Sequence, residues 1–166
     1  TCAAGGSANT YFGGSTCAGV TPCPPNNDKC ANAFSLIDGT TGFTNVGARD
    51  DGPSDICGTS PTGKDVWYNY TASCTGDVTI SLCGFVPDYD SVLSVYPSLA
   101  CPPGSPREAC NDDFDCDGAG GVDAGSWSEV TFAATSGEQF KVRVGNWKPG
   151  AEEGAGEIVV TCTPPV

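Results

Sequence analysis

Between residues 139 and 147 the chain reads QFKVRVGNW, in which Phe140, Val142 and Val144 alternate with Lys141 and Arg143. A β-strand turns successive side chains to opposite faces, so this period of two predicts a strand with one apolar and one wet face. DVTISLC (77–83) repeats the pattern, with Val78, Ile80 and Leu82 on one side. AFSLI (33–37), DVWYNYT (65–71), DSVLSVY (90–96), WSEVTFAA (127–134) and GEIVVTC (156–162) are read as strands on the same grounds, with FTNV (43–46) as a further candidate. Gly, Pro, Asn and Asp clusters separate these runs, and no segment places apolar residues at helical spacing. The prediction is an all-β, antiparallel two-sheet sandwich of jelly-roll-like type with seven or eight strands. SCTG (73–76) and TSGE (135–138) are expected to be hairpin connections, because Gly tolerates the positive φ of tight turns. The loops 47–63 and 97–126 are long for a compact domain, and each holds cysteines able to staple it.

Residues 1–29 differ in texture. They are rich in Gly, Ser, Thr and Pro, contain Cys2, Cys17 and Cys23, and show no alternation. An N-terminal extension (1–29) on a sandwich domain (30–166) is therefore expected. Eleven cysteines without a histidine or methionine suit an oxidising compartment, so a secreted, extracellular or cell-surface location is expected. Thr1 followed by small residues reads as a mature chain whose signal peptide has been removed. A net charge of −13 sets the chain against nucleic acid and anionic lipid, which require a basic patch. No apolar run is long enough to predict membrane insertion.

NDKCANAF (27–34), KDVWYNYTASCTGDVTISLCG (64–84), DYDSVLSVY (88–96), ACNDD (109–113) and the closing KVRVGNW to EIVVTC follow one another in a telling order. Together they resemble bacterial secreted β-sandwich modules of the pre-peptidase C-terminal, CUB-like type, over residues 27–163. The resemblance implies a jelly-roll-like, non-catalytic module attached to secreted enzymes or surface proteins, some of which bind calcium or a polymer. The Cys-bearing extension has no counterpart in that pattern, and no catalytic domain accompanies the module within these residues.

Four aspartates crowd CNDDFDCDG (110–118): Asp112, Asp113, Asp115 and Asp117. Asp113, Asp115, Asp117 and Gly118 match the first half of a calcium loop, whose alternate carboxylates converge on a hard cation while the Gly permits the turn. Ala124 stands where such a loop needs its bidentate Glu, with Asp123 one residue early, so an EF-hand is not expected. A looser, structural Ca2+ site is expected if Asp88 or Asp90, ahead of the 90–96 strand, reaches the same ion. The competing reading is a solvated turn in which Asn111 and Asp112 bond their own backbone and Cys110 or Cys116 pins the loop. Mutual repulsion among the carboxylates favours the cation.

Catalysis finds little to work with, because acyl-transfer chemistry leans on a base and there is no histidine. Thiols in this setting are oxidised, the carboxylates lie in loops without a cleft signal, and no C-x-x-C pair suggests zinc or iron–sulfur. A non-catalytic protein with no cofactor beyond calcium is expected. Trp67, Tyr68, Tyr70, Trp127 and Trp147 offer flat faces to sugar rings, yet in DVWYNYT at least one aromatic set must pack in the core. Trp147, at a strand end before Lys148, Pro149 and Gly150, is the best ligand-binding candidate. Asn69 formally begins an N-glycosylation sequon, although it sits within a strand.

Cys30, Cys57, Cys74, Cys83, Cys101, Cys110, Cys116 and Cys162 are expected in disulfides. Their connectivity stays open, though Cys101 with Cys110 would close a short loop. The odd cysteine count points to a free thiol, buried or reactive, or to a bond with another chain, for which Cys2, Cys17 and Cys23 are the natural place. The expected function is a non-catalytic extracellular structural protein that self-assembles into a filament, its extension docking on a sheet edge of the next copy. The alternative is a secreted module that binds polysaccharide or protein in a surface complex.

Overall fold

The computed structural model describes residues 22–50, 52–83, 89–104, 106–116 and 126–166. Among the described residues, a 3-10 turn at Cys30–Asn32 precedes eleven strands: β1 Phe34–Leu36, β2 Gly39–Thr44, β3 Ile56–Cys57, β4 Ser60–Pro61, β5 Gly63–Thr71, β6 Gly76–Ser81, β7 Ser91–Pro97, β8 Ala109–Asn111, β9 Glu129–Ala134, β10 Gln139–Asn146 and β11 Ala155–Thr163. A five-stranded sheet in the order β1-β5-β10-β7-β8 faces a four-stranded sheet in the order β2-β11-β6-β9, and β3 with β4 forms a small hairpin. Only β1 with β5 is parallel among the described pairs. The fold is the disulfide-rich β-sandwich that the alternation predicts. No described helix is long and apolar enough to cross a membrane.

The core lies between the two sheets. Val66, Tyr68, Tyr70, Leu93, Val95, Phe140, Val142 and Val144 project from one side to meet Val78, Ile80, Val130, Phe132, Ile158 and Val160 from the other. Phe132 and Phe140 make the contact across the gap edge-on, their ring centroids 4.8 Å apart. Each such side chain contributes about 1.5–3 kcal/mol by leaving water, which is why the period-two pattern is so strictly kept.

Four expectations need correction. Eleven strands are described where seven or eight are expected, because the short β3, β4 and β8 form within the stretches 47–63 and 97–126 that read as loops. SCTG and TSGE are not hairpins, because β5 and β6 lie in different sheets, as do β9 and β10. Both segments cross from sheet to sheet, and they run side by side: the Ala72 N–H donates to the Glu138 carbonyl and the Gly137 N–H to the Ala72 carbonyl, each at 2.8 Å. The wet face expected for QFKVRVGNW is also absent, since Lys141 and Arg143 are only 3% and 1% exposed. β10 is the central strand of its sheet, and loops cover the outward side. Cys101 and Cys110 do not pair with each other. Cys110 stands in β8 opposite Ser94 and bonds Cys57, while Cys101 bonds Cys30 across 71 residues.

Cys74–Cys162 and Cys83–Cys116 complete four disulfides, which require an oxidising environment to form. Cys57–Cys110 ties the two long loops together over the outer face of the five-stranded sheet. Cys23 is disulfide-bonded as well, and no described cysteine is free. Cys2 and Cys17 lie outside the described residues. Packing already begins upstream of residue 30. Asn27 exchanges two hydrogen bonds with Trp67, its side-chain amide donating to the Trp67 carbonyl at 3.1 Å and its own carbonyl accepting from the Trp67 N–H at 2.9 Å. The Asp28 carboxylate accepts the Arg49 N–H at 2.7 Å.

Candidate functional site

The outer face of the five-stranded sheet carries polar residues where the sequence suggests solvent. Asp65 and Trp67 on β5 and Arg143 on β10 are all 1% exposed or less. The Arg143 guanidinium donates to Asp65 at 2.6 Å, to Asp55 at 3.1 Å, and to the carbonyls of Pro53 and Thr62 at 2.9 and 3.0 Å. It also sits 5.4 Å from the Trp67 ring centroid, a cation–π distance. Asp55 is shared, since it accepts from the Tyr96 hydroxyl at 2.7 Å and pairs with Arg107 at 3.5 Å. Nearby, Lys141 donates to the Asn69 amide oxygen at 2.5 Å and to the Cys30 carbonyl at 3.2 Å, and burial lowers its pKa. Here the charged groups are spent on one another and on loop carbonyls. The layer fastens the loops around Pro53, Asp55, Thr62 and Arg107 to the sheet.

Above it lies an open depression of about 480 Å³ lined by Lys29, Ala31, Gly52, Pro53, Pro102 and Pro103, with Trp67 at its base. The burial of Trp67 leaves no flat aromatic face in it. Trp147 is half-buried, and its neighbour Lys148 places its ammonium 4.0 Å from the ring centroid, capping one face. The open platform expected at Trp147 is thus partly closed. Trp127 is half-buried too and bridges Phe114 through the backbone.

The acidic residues meet at the end of the same sheet. β7 and β8 pair Leu93 with Asn111; continuing that register turns Asp90 and Asp112 to the outer face as diagonal neighbours. Asp112 is only 8% exposed, with its Oδ2 over Gly58, whose φ of +76° and missing Cβ make the approach possible. The Thr59 N–H supports that carboxylate, while buried Oδ1 atoms of Asp90, Asn111 and Asp112 have no hydrogen-bond partner. Burial, then the charges of Asp112 and Asp113, push the Asp90 pKa up to about 6. Burial and the Asp113 charge do the same to Asp112, also to about 6. Asp113 and Asp115 are exposed, and Cys57–Cys110 and Cys83–Cys116 pin the two ends of the segment. Asp88 and Asp117 lie outside the described residues. Among the described residues no three Asp, Glu, Cys or His converge with ligand geometry. The structure therefore brings Asp90, Asp112 and Asp113 into electrostatic contact without itself completing a carboxylate cage.

A pH dependence follows from these two raised values. Between the ordinary carboxylate value of 3.8 and about 6 the folded chain holds protons that the unfolded chain has released. Stability should accordingly fall as pH rises through that window in cation-free buffer. Asp112→Asn should remove part of the fall, and thermal melts from pH 4 to 7 with chelator present would show it; a flat profile in the unmodified protein would contradict the coupling.

On the opposite flank of the sandwich, β2 ends the four-stranded sheet and, among the described residues, pairs only with β11. Beside it Phe34 and Ile37 are 42% and 71% exposed. Residues 39–42, GTTG, carry no apolar signal, and only the FTNV candidate hinted at this strand. The ionic layer escaped the sequence as well, its one trace being two cations inside the most strongly alternating strand.

No family model matches this chain, and no curated protein matches it. Among solved structures it is similar to one described as CorA, a surface-associated copper-binding protein important in Methylomicrobium album BG8 copper acquisition, at 10% identity and a TM-score of 0.46, covering 79% of this chain and 98% of that one.

Proposed function

We propose that this chain is a non-catalytic, extracellular building block that assembles with copies of itself, its N-terminal extension docking on a neighbouring sandwich. The observation that supports this reading is the uneven finish of the molecule. One sheet face is closed by disulfide-tied loops over a hydrogen-bonded ionic layer, while among the described residues no strand pairs with the outer edges of β1 and β2, and Phe34 and Ile37 are exposed beside them. Exposed sheet edges next to apolar side chains are the usual template for adding another chain. A head-to-tail contact of this kind propagates unless its rotation closes a ring. Sedimentation velocity of the full chain tests the reading. Species larger than a monomer, lost when residues 1–21 are removed, are expected; a strictly monomeric full chain would overturn it.

The same reading gives the acidic corner a structural role. The buried, unbonded oxygens of Asp90 and Asp112 suit a hard cation that takes carboxylate oxygens. Millimolar Ca2+ is expected to raise the melting temperature at pH 7, and Asp90→Asn with Asp112→Asn to abolish the rise. A full rise in that variant would remove these residues from the site. The depression above Trp67 favours a second reading, a module that binds a polysaccharide or protein surface. Retention on insoluble glycans by monomeric protein would favour it over assembly.

A further inference from the structure

The edge of β2 differs from the other sheet edges. Its sequence, GTTGFT, holds no charge and no proline, the devices by which exposed edges are ordinarily protected. β8, by contrast, is disulfide-tied through Cys110, β9 has β8 beside it and carries Glu129, and β1 is only three residues long. Among the described residues, no backbone group of Gly39–Phe43 bonds anything but β11. A Cβ placed on Gly39 or Gly42 would meet nothing within 4 Å, so no described residue covers the sheet face at these two positions.

The occupant can be argued from charge and from where the chain emerges. Residues 1–21 contain no Asp, Glu, Lys or Arg, so the whole net charge of −13 resides on the rest of the chain. Two bodies of that charge placed edge to edge would repel, whereas an uncharged segment meets an uncharged edge without that cost. Within the segment, Thr10, Tyr11 and Phe12 are its most β-favouring run and hold its only aromatics, with Gly13 and Gly14 ending it. Pro22 and Cys23 lie against Gly47, just past the end of β2, so residues 1–21 join the described chain beside this strand. The ~20 Å that six paired residues occupy is within the span of residues 8–14.

We infer that residues 8–14 (ANTYFGG) of one copy add to the β2 edge of the next as a fifth strand of its four-stranded sheet. This deepens the proposed assembly and rests on it. The added strand supplies the missing backbone partners of Gly39–Phe43, and its aromatic pair places one ring toward Phe34 and Ile37 at the open flank.

The test combines hydrogen exchange with sedimentation on the full chain and on Thr10→Pro/Tyr11→Pro. Adjacent residues of a strand point their N–H groups in opposite directions, so one of the two prolines must remove a docking bond, while the sandwich itself is untouched. In the unmodified chain the amides of Gly39–Phe43 are expected to exchange ~10-fold or more slowly than in the variant, and the variant is expected to sediment as a monomer. An assembling variant with unchanged exchange would overturn the β2 site while leaving self-assembly standing. Protection of these amides in a monomeric full chain would overturn the contact between copies together with the assembly reading.

Discussion

Arg143→Met is expected to cost about 3–5 kcal/mol of folding stability, the loss typical of breaking a buried ion pair from one side. The size follows from what the substitution strands. Asp65 is fully buried and accepts the Arg143 Nε–H at 2.6 Å, so its carboxylate would lose its cation without gaining water. Asp55 and the carbonyls of Pro53 and Thr62 would lose donors at the same moment, loosening the loop that Cys57–Cys110 ties down. Against a domain stability of about 5–15 kcal/mol this is a large fraction. In a chain of this size it corresponds to a fall in melting temperature of about 10 °C or more. Asp65→Asn in the Arg143→Met background should restore part of the loss, because it removes the stranded charge. Denaturant unfolding of the two single variants and the double variant measures this directly. Strict additivity would mean that the pair is not coupled, and a loss below about 1 kcal/mol would mean that water reaches the layer.

Cys74→Ser/Cys162→Ser is expected to destabilise the chain by about 4 kcal/mol, through the freedom regained by the unfolded state. This bridge spans 88 residues, the longest separation among the four. It joins the crossing between β5 and β6 to the end of β11, where Cys162 and Thr163 pair with Val78 and Asp77. Cys83→Ser/Cys116→Ser, spanning 33 residues, should cost ~0.9 kcal/mol less if loop closure dominates. Unfolding of both variants in urea settles the order. A reversed order would show that Cys83–Cys116 acts chiefly on the native state, by holding the acidic segment in place.

Much of the sandwich was legible because its chemistry is local. Val78, Ile80 and Leu82 on one side of β6, and Phe140, Val142 and Val144 on one side of β10, announce their faces through the fixed period of a strand. Asp90 stands at the start of a recognisable strand, whereas Asp112 follows β8, a strand inside the stretch 97–126 that reads as a loop. What failed were statements about partners. SCTG and TSGE have the composition of hairpin turns, yet they bridge the two sheets, since turn residues record local backbone freedom and not which strand comes next in the sheet. Lys141 and Arg143 read as solvent-facing, because a period of two separates the faces of a strand without saying whether a loop lies over the second one. Cys101 and Cys110 look like partners in sequence, but β8 turns Cys110 toward Cys57.

The sequence by itself determined the class of the fold, its longer strands, the apolar face of those that alternate strictly, and an oxidised, acidic chain without histidine. These follow from side-chain periodicity and composition, which any neighbouring context must respect. Only the tertiary structure decided the strand order, the disulfide pairing, the buried ionic layer around Arg143 and the bare edge of β2. Each of those depends on which residues far apart in the chain come within a few ångströms of one another. That choice is made by the packing of two whole sheets and the loops over them, and no short stretch of sequence carries it.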